Sequence, residues 1–90
     1  MTSPPEHLNN HHRDTLRELF RHPAGHNIEW HSVVSLLDAV GTVTAHHDGK
    51  VTATVGAQSV VLTPPTGKEI DARTVTDLRG MLAAAGYSGG

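Results

Sequence analysis

The sequence predicts an α+β fold, a three-stranded antiparallel meander with helices packed on one face. Three observations lead to this prediction. Apolar residues recur at helical spacing up to residue 40, alternate with polar residues between 42 and 63, and return to helical spacing after residue 71. A sheet with one apolar face and helices with one apolar stripe bury each other in two layers. We therefore expect the element order α-α-β-β-β-α.

Length and composition limit what this chain can be. Ninety residues support one hydrophobic core, and the lack of cysteine excludes disulfides and thiolate zinc sites. A net charge of -2 argues against non-specific nucleic-acid binding as the main activity, because that binding depends on Lys and Arg. The N-terminus has no signal-like segment and no apolar run approaches ~18 residues. We expect a cytoplasmic protein with no membrane association and no cofactor.

The N-terminal third is predicted to contain one short helix. Residues 1–9 are polar and proline-containing, so we expect a disordered lead-in. Within 10–29 we predict a helix and a loop: Leu16, Leu19 and Phe20 share one face, Asn10 is a suitable N-cap, and Pro23 ends the helix.

A second helix is predicted from Trp30 onward. Its apolar stripe is wide and continuous, and Gly41 follows it where a left-handed residue often ends a helix. Just before it, we expect Ile28 to pack as a hydrophobic staple, and Asn27 or Glu29 to cap the helix. The stripe consists of Trp30, Val33, Val34, Leu36, Leu37 and Val40.

The middle of the chain is predicted to form the meander. Alternating residues from Thr42 and from Val51 flank Asp48-Gly49, a strong hairpin signal. Gly56-Ala57 places glycine first in a second tight turn, after which residues 59–63 form a third strand that ends at Pro64-Pro65.

The last helix is predicted to start after Asp71, which can cap it, and to end at Gly86. Residues 88–90 are expected to be a frayed tail. The core positions of this helix are Val75, Leu78, Leu82 and Ala85.

Three segments together resemble the HicA family of toxins. They are the helix over 31–41, the Gly67-Lys-Glu-Ile-Asp71 connection and the Thr74 to Gly86 helix, with a glycine-containing hairpin between the first two. The similarity covers roughly residues 31–87, within a domain that we assign to 30–87. The resemblance implies a fold like that of double-stranded-RNA-binding domains. It also implies a messenger-RNA interferase that is neutralised by a HicB antitoxin, so RNA and a HicB-like protein are the expected partners.

The chain departs from that family at the expected catalytic position. The family has a histidine after a Gly-Ser pair at the start of the second strand, and this chain has Gly49-Lys50-Val51. Valine cannot transfer a proton. Two neighbouring histidines, His46 and His47, are the candidate catalytic residues, provided that a bulged turn aims both at one phosphate. Alternatively, they are polar hairpin residues without a catalytic role.

Basic and aromatic residues supply the candidate RNA contacts. Lys50, Lys68, Arg73 and Arg79 are candidates for phosphate contacts, and Trp30 is a candidate for base stacking. The alternatives are solvated surface charge for the four cations and a structural role for Trp30 above a thin core. Two functions follow: an RNA-binding and possibly cleaving HicA-like toxin, or a catalytically inactive domain of that fold that acts as an interaction module.

Histidine-rich segments raise the question of a metal site. His22 with His26, or His7 with His11 and His12, are close enough in sequence to share an ion. Pro23 interrupts the helix that would align the first pair, and the chain has no His-Glu-x-x-His spacing. We therefore predict no metal site. The N-terminal helix is expected to cover a sheet edge or to serve as a docking surface for a partner.

Overall fold

A computed structural model describes residues 10–21 and 28–87, and it confirms the α+β class and the element order. The predicted lead-in, most of the loop after the first helix and the predicted tail lie outside these residues. The three strands form an antiparallel sheet of order β1-β2-β3. The elements are α1 (Asn10–Phe20), α2 (Trp30–Val40), β1 (Thr42–Ala45), β2 (Val51–Val55), β3 (Gln58–Leu62) and α3 (Ala72–Ala84).

The alternating pattern of the strands sorts their side chains onto two different faces. In the register, Val43 lies opposite Ala53 and Ala53 opposite Val60, and this row faces the helices. The next row, Thr44, Thr52 and Val61, therefore faces away from them. Val61 is the exposed large apolar residue of the described chain, at 60%.

All three helices contribute to one core. α2 packs on β1 and β2, α3 packs on β3, and α1 packs against α2 and α3. Leu19 of α1 is fully buried in the same apolar cluster as Leu36 of α2 and Leu78 of α3. The first helix is thus part of the packed domain.

The β1–β2 hairpin is not the two-residue turn that Asp48-Gly49 suggests. The amide of Gly49 donates to the carbonyl of His46, and the amide of His46 donates to the carbonyl of Lys50. His47 and Asp48 are therefore the central turn residues, and Gly49, with φ +93°, forms the bulge that follows. The second turn is as predicted: Gly56 has φ +60° at its first central position.

Gly41 ends α2, but the prediction that it is left-handed is wrong. Its φ is -164°, an extended conformation, and its amide donates to the carbonyl of Leu37. Glycine is required for a steric reason, since a Cβ at this position would lie 1.9 Å from the carbonyl oxygen of Thr54. The strand approaches the helix end so closely that only glycine fits.

The ends of α3 agree with the sequence. The carboxylate of Asp71 accepts a hydrogen bond from the amide of Thr74 at 2.8 Å, as an N-cap does. Gly86 has φ +98° and follows the last turn. Within the part of the chain that the structure describes, no helix is long and apolar enough to cross a membrane.

Candidate nucleic-acid interface

The β1–β2 hairpin carries three of the predicted site residues on an exposed turn. His46, His47 and Lys50 are all exposed. Nε2 of His46 lies 2.7 Å from Oγ1 of Thr52, which places this imidazole on the sheet face that points away from the helices. The amide of Lys50 donates to the carboxylate of Asp48 at 3.0 Å. The hairpin therefore has a fixed backbone and freely accessible side chains.

The two hairpin histidines are adjacent, and the structure describes a side-chain contact for His46. The turn is bulged, as a two-histidine site requires, but the bulge is at Gly49, beyond both of them. In residues 10–21 and 28–87, the imidazole ring contacts are those of His11 with His12 and with His31. His46 instead contacts Thr52. Within the described residues, His46 and His47 therefore share no ring contact, and the catalytic role of the two remains a prediction.

Two segments pair where α2 and α3 begin. Glu29 and Glu69 form an isolated antiparallel bridge. Beside it, the amide of Trp30 donates to the carbonyl of Lys68 at 2.7 Å, and the amide of Ile70 donates to the carbonyl of Ile28 at 3.0 Å. These bonds hold the N-termini of the two helices next to each other.

Trp30 and Ile28 have structural positions in this region. Ile28 is buried, and Trp30 is half-buried against the core. Glu29 occupies the N-cap position of α2 without a side-chain cap bond, and its carboxylate lies 2.6 Å from Nε2 of His31. Asn27 lies outside the described residues. The partial exposure of Trp30 leaves some of its ring available for stacking.

Three predicted cations are exposed and form no contact ion pair with a carboxylate in the part of the chain that the structure describes. The ion pairs of the described chain join Arg17 to Asp14, Arg21 to Glu18 and His31 to Glu29. This set does not include Lys50, Lys68 or Arg73, which are all exposed.

Two nearby carboxylates accept hydrogen bonds from backbone amides close to them in the sequence. Asp48 accepts from the backbone of the hairpin, and Asp71 caps α3. Hydrogen bonds from the amide and the hydroxyl of Thr74 lower the pKa of Asp71, and the charge of Arg73 lowers it further. The lowered pKa keeps Asp71 negative at neutral pH. Neither Asp48 nor Asp71 forms a contact ion pair with Lys50, Lys68 or Arg73.

Arg79 has a structural contact that the sequence did not suggest. Its Nε donates to the carbonyl of Leu19 at 2.9 Å, and its Nη2 donates to the carbonyl of Arg21 at 3.2 Å. These carbonyls belong to the last turn of α1 and the residue after it. Arg79 of α3 thus caps the C-terminus of α1.

Residue 51 lies where the resemblance expects the catalytic histidine. Val51 is the first residue of β2, opposite Ala45 and Leu62, and is only 8% exposed. Its side chain faces the helical layer, whereas His46 lies on the opposite face. An imidazole at position 46 therefore does not occupy the place of one at position 51.

Sequence reasoning missed a histidine–serine cluster between α1 and α2. Nε2 of His11 lies 3.1 Å from Oγ of Ser32, and Nε2 of His12 lies 2.8 Å from Oγ of Ser35. The ring of His31 stacks on that of His11 with centroids 6.5 Å apart. The serines recur at i, i+3 on α2, which is the available sequence signal.

The described residues contain no group of three or more histidine or acidic side chains that could hold a metal ion. His7, His22 and His26 lie outside those residues. The described histidines at 11 and 12 contact serines, so their arrangement serves the packing of α1 on α2.

Comparison with protein-family models, curated proteins and solved structures gives no match to this chain.

Proposed function

We propose that this chain is a HicA-like component of a toxin–antitoxin pair that binds RNA through the hairpin and the beginnings of α2 and α3. The observation that carries the proposal is a set of three exposed cations that form no contact ion pair with a described carboxylate: Lys50, Lys68 and Arg73. Flexible exposed cations contact phosphates, which position a protein on RNA without reading its sequence.

The topology supports a common binding surface for these cations. Leu62 at the end of β3 pairs with Val51, so the connection to α3 leaves the sheet at the same end as the hairpin that carries Lys50. This connection contains Lys68, whose carbonyl is bonded to the start of α2. A helix–meander–helix unit that presents helix N-termini beside a hairpin suits double-stranded RNA, which proteins recognise by shape and backbone.

The expected partner is a HicB-like antitoxin. RNA binding by a toxin becomes harmless when another protein covers the basic surface, and complementary acidic charge would favour that association. Under this proposal, cleavage depends on an imidazole on the hairpin, because Val51 cannot act as an acid or base.

A second function is favoured by one observation. Val51 is a well-packed residue of the sheet, so the expected catalytic position is filled as part of the core. This favours a catalytically inactive domain that acts as an interaction module.

RNA binding is tested by removing positive charge either from the proposed surface or, as a control, from the N-terminal helix region. We expect the triple variant Lys50→Ala/Lys68→Ala/Arg73→Ala to bind a short RNA duplex more weakly. The slope of log K against log salt should become shallower by about one for each lost phosphate contact. The matched control removes the same charge from α1 and the residue that follows it, with Arg13→Ala/Arg17→Ala/Arg21→Ala. Equal weakening by both variants would contradict the proposed surface.

Toxicity and cleavage are tested in a bacterial host. We expect induction of the chain to slow growth, and we would follow messenger-RNA integrity in the same cultures. If cleavage uses the hairpin, His46→Ala/His47→Ala preserves messenger RNA. A parent chain that binds RNA without slowing growth or degrading messenger RNA would support the inactive module and contradict the toxin.

A further inference from the structure

We propose that the outer edge of β3 is a self-association surface, where a second copy of this chain pairs β3 with β3 in antiparallel orientation. This edge does not include Lys50, Lys68 or Arg73 of the proposed RNA surface. It concerns the backbone and side chains of residues 59–63.

The backbone of β3 has a free outer side. The amide of His46 donates to the carbonyl of Lys50, so these residues face each other as a hydrogen-bonded pair. Because the direction of the backbone groups alternates along a strand, the amide and carbonyl of Thr52 point toward β1, whereas those of Val51 and Ala53 point toward β3. Val60 lies opposite Ala53, so its backbone amide and carbonyl point toward β2. Ser59 and Val61 of β3 therefore direct their amides and carbonyls outward, where no other described strand lies. Thr63, the residue directly after β3, continues this alternation.

Within residues 10–21 and 28–87, this edge lacks the usual protection against pairing. Proteins commonly block an edge strand with a charged residue, a proline, a bulge or a covering segment. Residues 51–67 contain no Asp, Glu, Lys, Arg or His, and Pro64 comes only after the strand has ended. Val61, at the centre of the edge, is 60% exposed. An uncharged strand with an exposed β-branched residue readily accepts another strand.

The strand is complementary to itself. With the two-fold axis at Val61, each Val61 faces its counterpart, Ser59 faces Thr63 of the second copy, and Val60 faces Leu62 of the second copy. Hydroxyl then meets hydroxyl and apolar side chain meets apolar side chain, with no charge opposed to a like charge. The outward-directed residues pair with each other, as antiparallel hydrogen bonding requires.

β1 is the other edge of the sheet and is a poorer candidate. It has four residues, and its outward-directed residues are Val43 and Ala45, so self-pairing there would form fewer hydrogen bonds. Pairing through β3 is isologous, so it closes at two copies and does not propagate. Because one strand edge buries far less than the roughly 1,200 Å² of a stable complex, the dimer should be weak.

Sedimentation velocity of the full chain over about a hundredfold range of concentration tests the proposal by mass action. We expect the sedimentation coefficient to rise from that of a monomer toward that of a dimer. Val61→Lys places two like charges at the two-fold axis and should keep the chain monomeric at every concentration. The matched control, Thr44→Lys, puts the same charge on the same face at the other edge and should still dimerise.

Hydrogen exchange identifies the strand that pairs. We expect the amides of Ser59, Val61 and Thr63 to exchange more slowly as concentration rises, while those of Val43 and Ala45 are unchanged. A chain that stays monomeric throughout, or protection at β1 in place of β3, would overturn the proposal. Equal loss of dimer in both lysine variants, with each retaining its circular dichroism spectrum, would also overturn it.

Discussion

The guanidinium of Arg79 on α3 donates from Nε to the carbonyl oxygen of Leu19 at the end of α1, 2.9 Å away. The two residues are 60 positions apart in the sequence. A helix C-terminus leaves carbonyls without partners inside the helix, and a cation placed there both bonds to them and opposes the helix dipole. This contact joins the first helix to the last.

Removing that contact should weaken the domain. We expect Arg79→Ala to lower the free energy of unfolding by about 1–3 kcal/mol, as for a partly buried hydrogen bond from a charged donor. The measurement is urea denaturation followed by circular dichroism. Arg73→Ala is the control: Arg73 is exposed and forms no contact ion pair with a described residue, so its loss should change stability by less than about 0.5 kcal/mol. Equal effects of the two variants would contradict the capping role.

The burial of α1 gives a second prediction. Leu19 is 0% exposed within the shared core, so Leu19→Ala should cost about 2–5 kcal/mol through lost transfer energy and a residual cavity. Arg13→Ala, on the exposed face of the same helix, should be nearly neutral. Thermal unfolding should remain a single transition in both. A separate early transition in Leu19→Ala would indicate that α1 is not part of the common core.

Periodicity was sufficient to predict the helices and strands because each buries one regular face. Val51, Ala53 and Val55 alternate with threonines, and the structure buries just these three residues of β2. The turn signals at Gly56 and Asp71 also act locally, through φ and a bond three residues away. Such features depend on neighbours in the sequence, which the sequence shows directly.

Features that depend on distant contacts could not be predicted in this way. The reason for glycine at position 41 is the carbonyl of Thr54, and the partner of Arg79 is a carbonyl of α1. The pairing of His11 with Ser32 likewise depends on how α1 packs. For the candidate site, the sequence was sufficient to identify the cations as candidates. Only the structure shows that Arg79 caps α1, whereas Lys50 and Lys68 are exposed.

The cap of α3 predicts a dependence of stability on pH. Hydrogen bonds from Thr74 lower the pKa of Asp71 in the folded state, so the ionised carboxylate favours folding. This contribution is present above the pKa of the unfolded chain and is lost as pH falls through the lower pKa of the folded state. Asp71→Ala should therefore lower the urea midpoint at neutral pH and have less effect in acid.

Asp77→Ala is the control for this pH effect, because Asp77 is exposed on the same helix and has no hydrogen bond that a described residue supplies. Its difference from the parent chain should be small at neutral pH. If the Asp71→Ala difference did not shrink on acidification, the carboxylate would not be the group responsible.

Replacing either of two glycines with alanine should change the stability of the domain, in opposite directions for the two positions. At Gly41 a Cβ would lie 1.9 Å from the carbonyl oxygen of Thr54, so Gly41→Ala forces β2 away from the end of α2, and we expect a loss of about 3 kcal/mol. At Gly80, inside α3, a Cβ meets no atom within 4 Å. Gly80→Ala should therefore stabilise the domain by about 0.5–1 kcal/mol, through the higher helix propensity of alanine. Denaturant midpoints measured on both variants check the signs, and a neutral Gly41→Ala would show that β2 can move without cost.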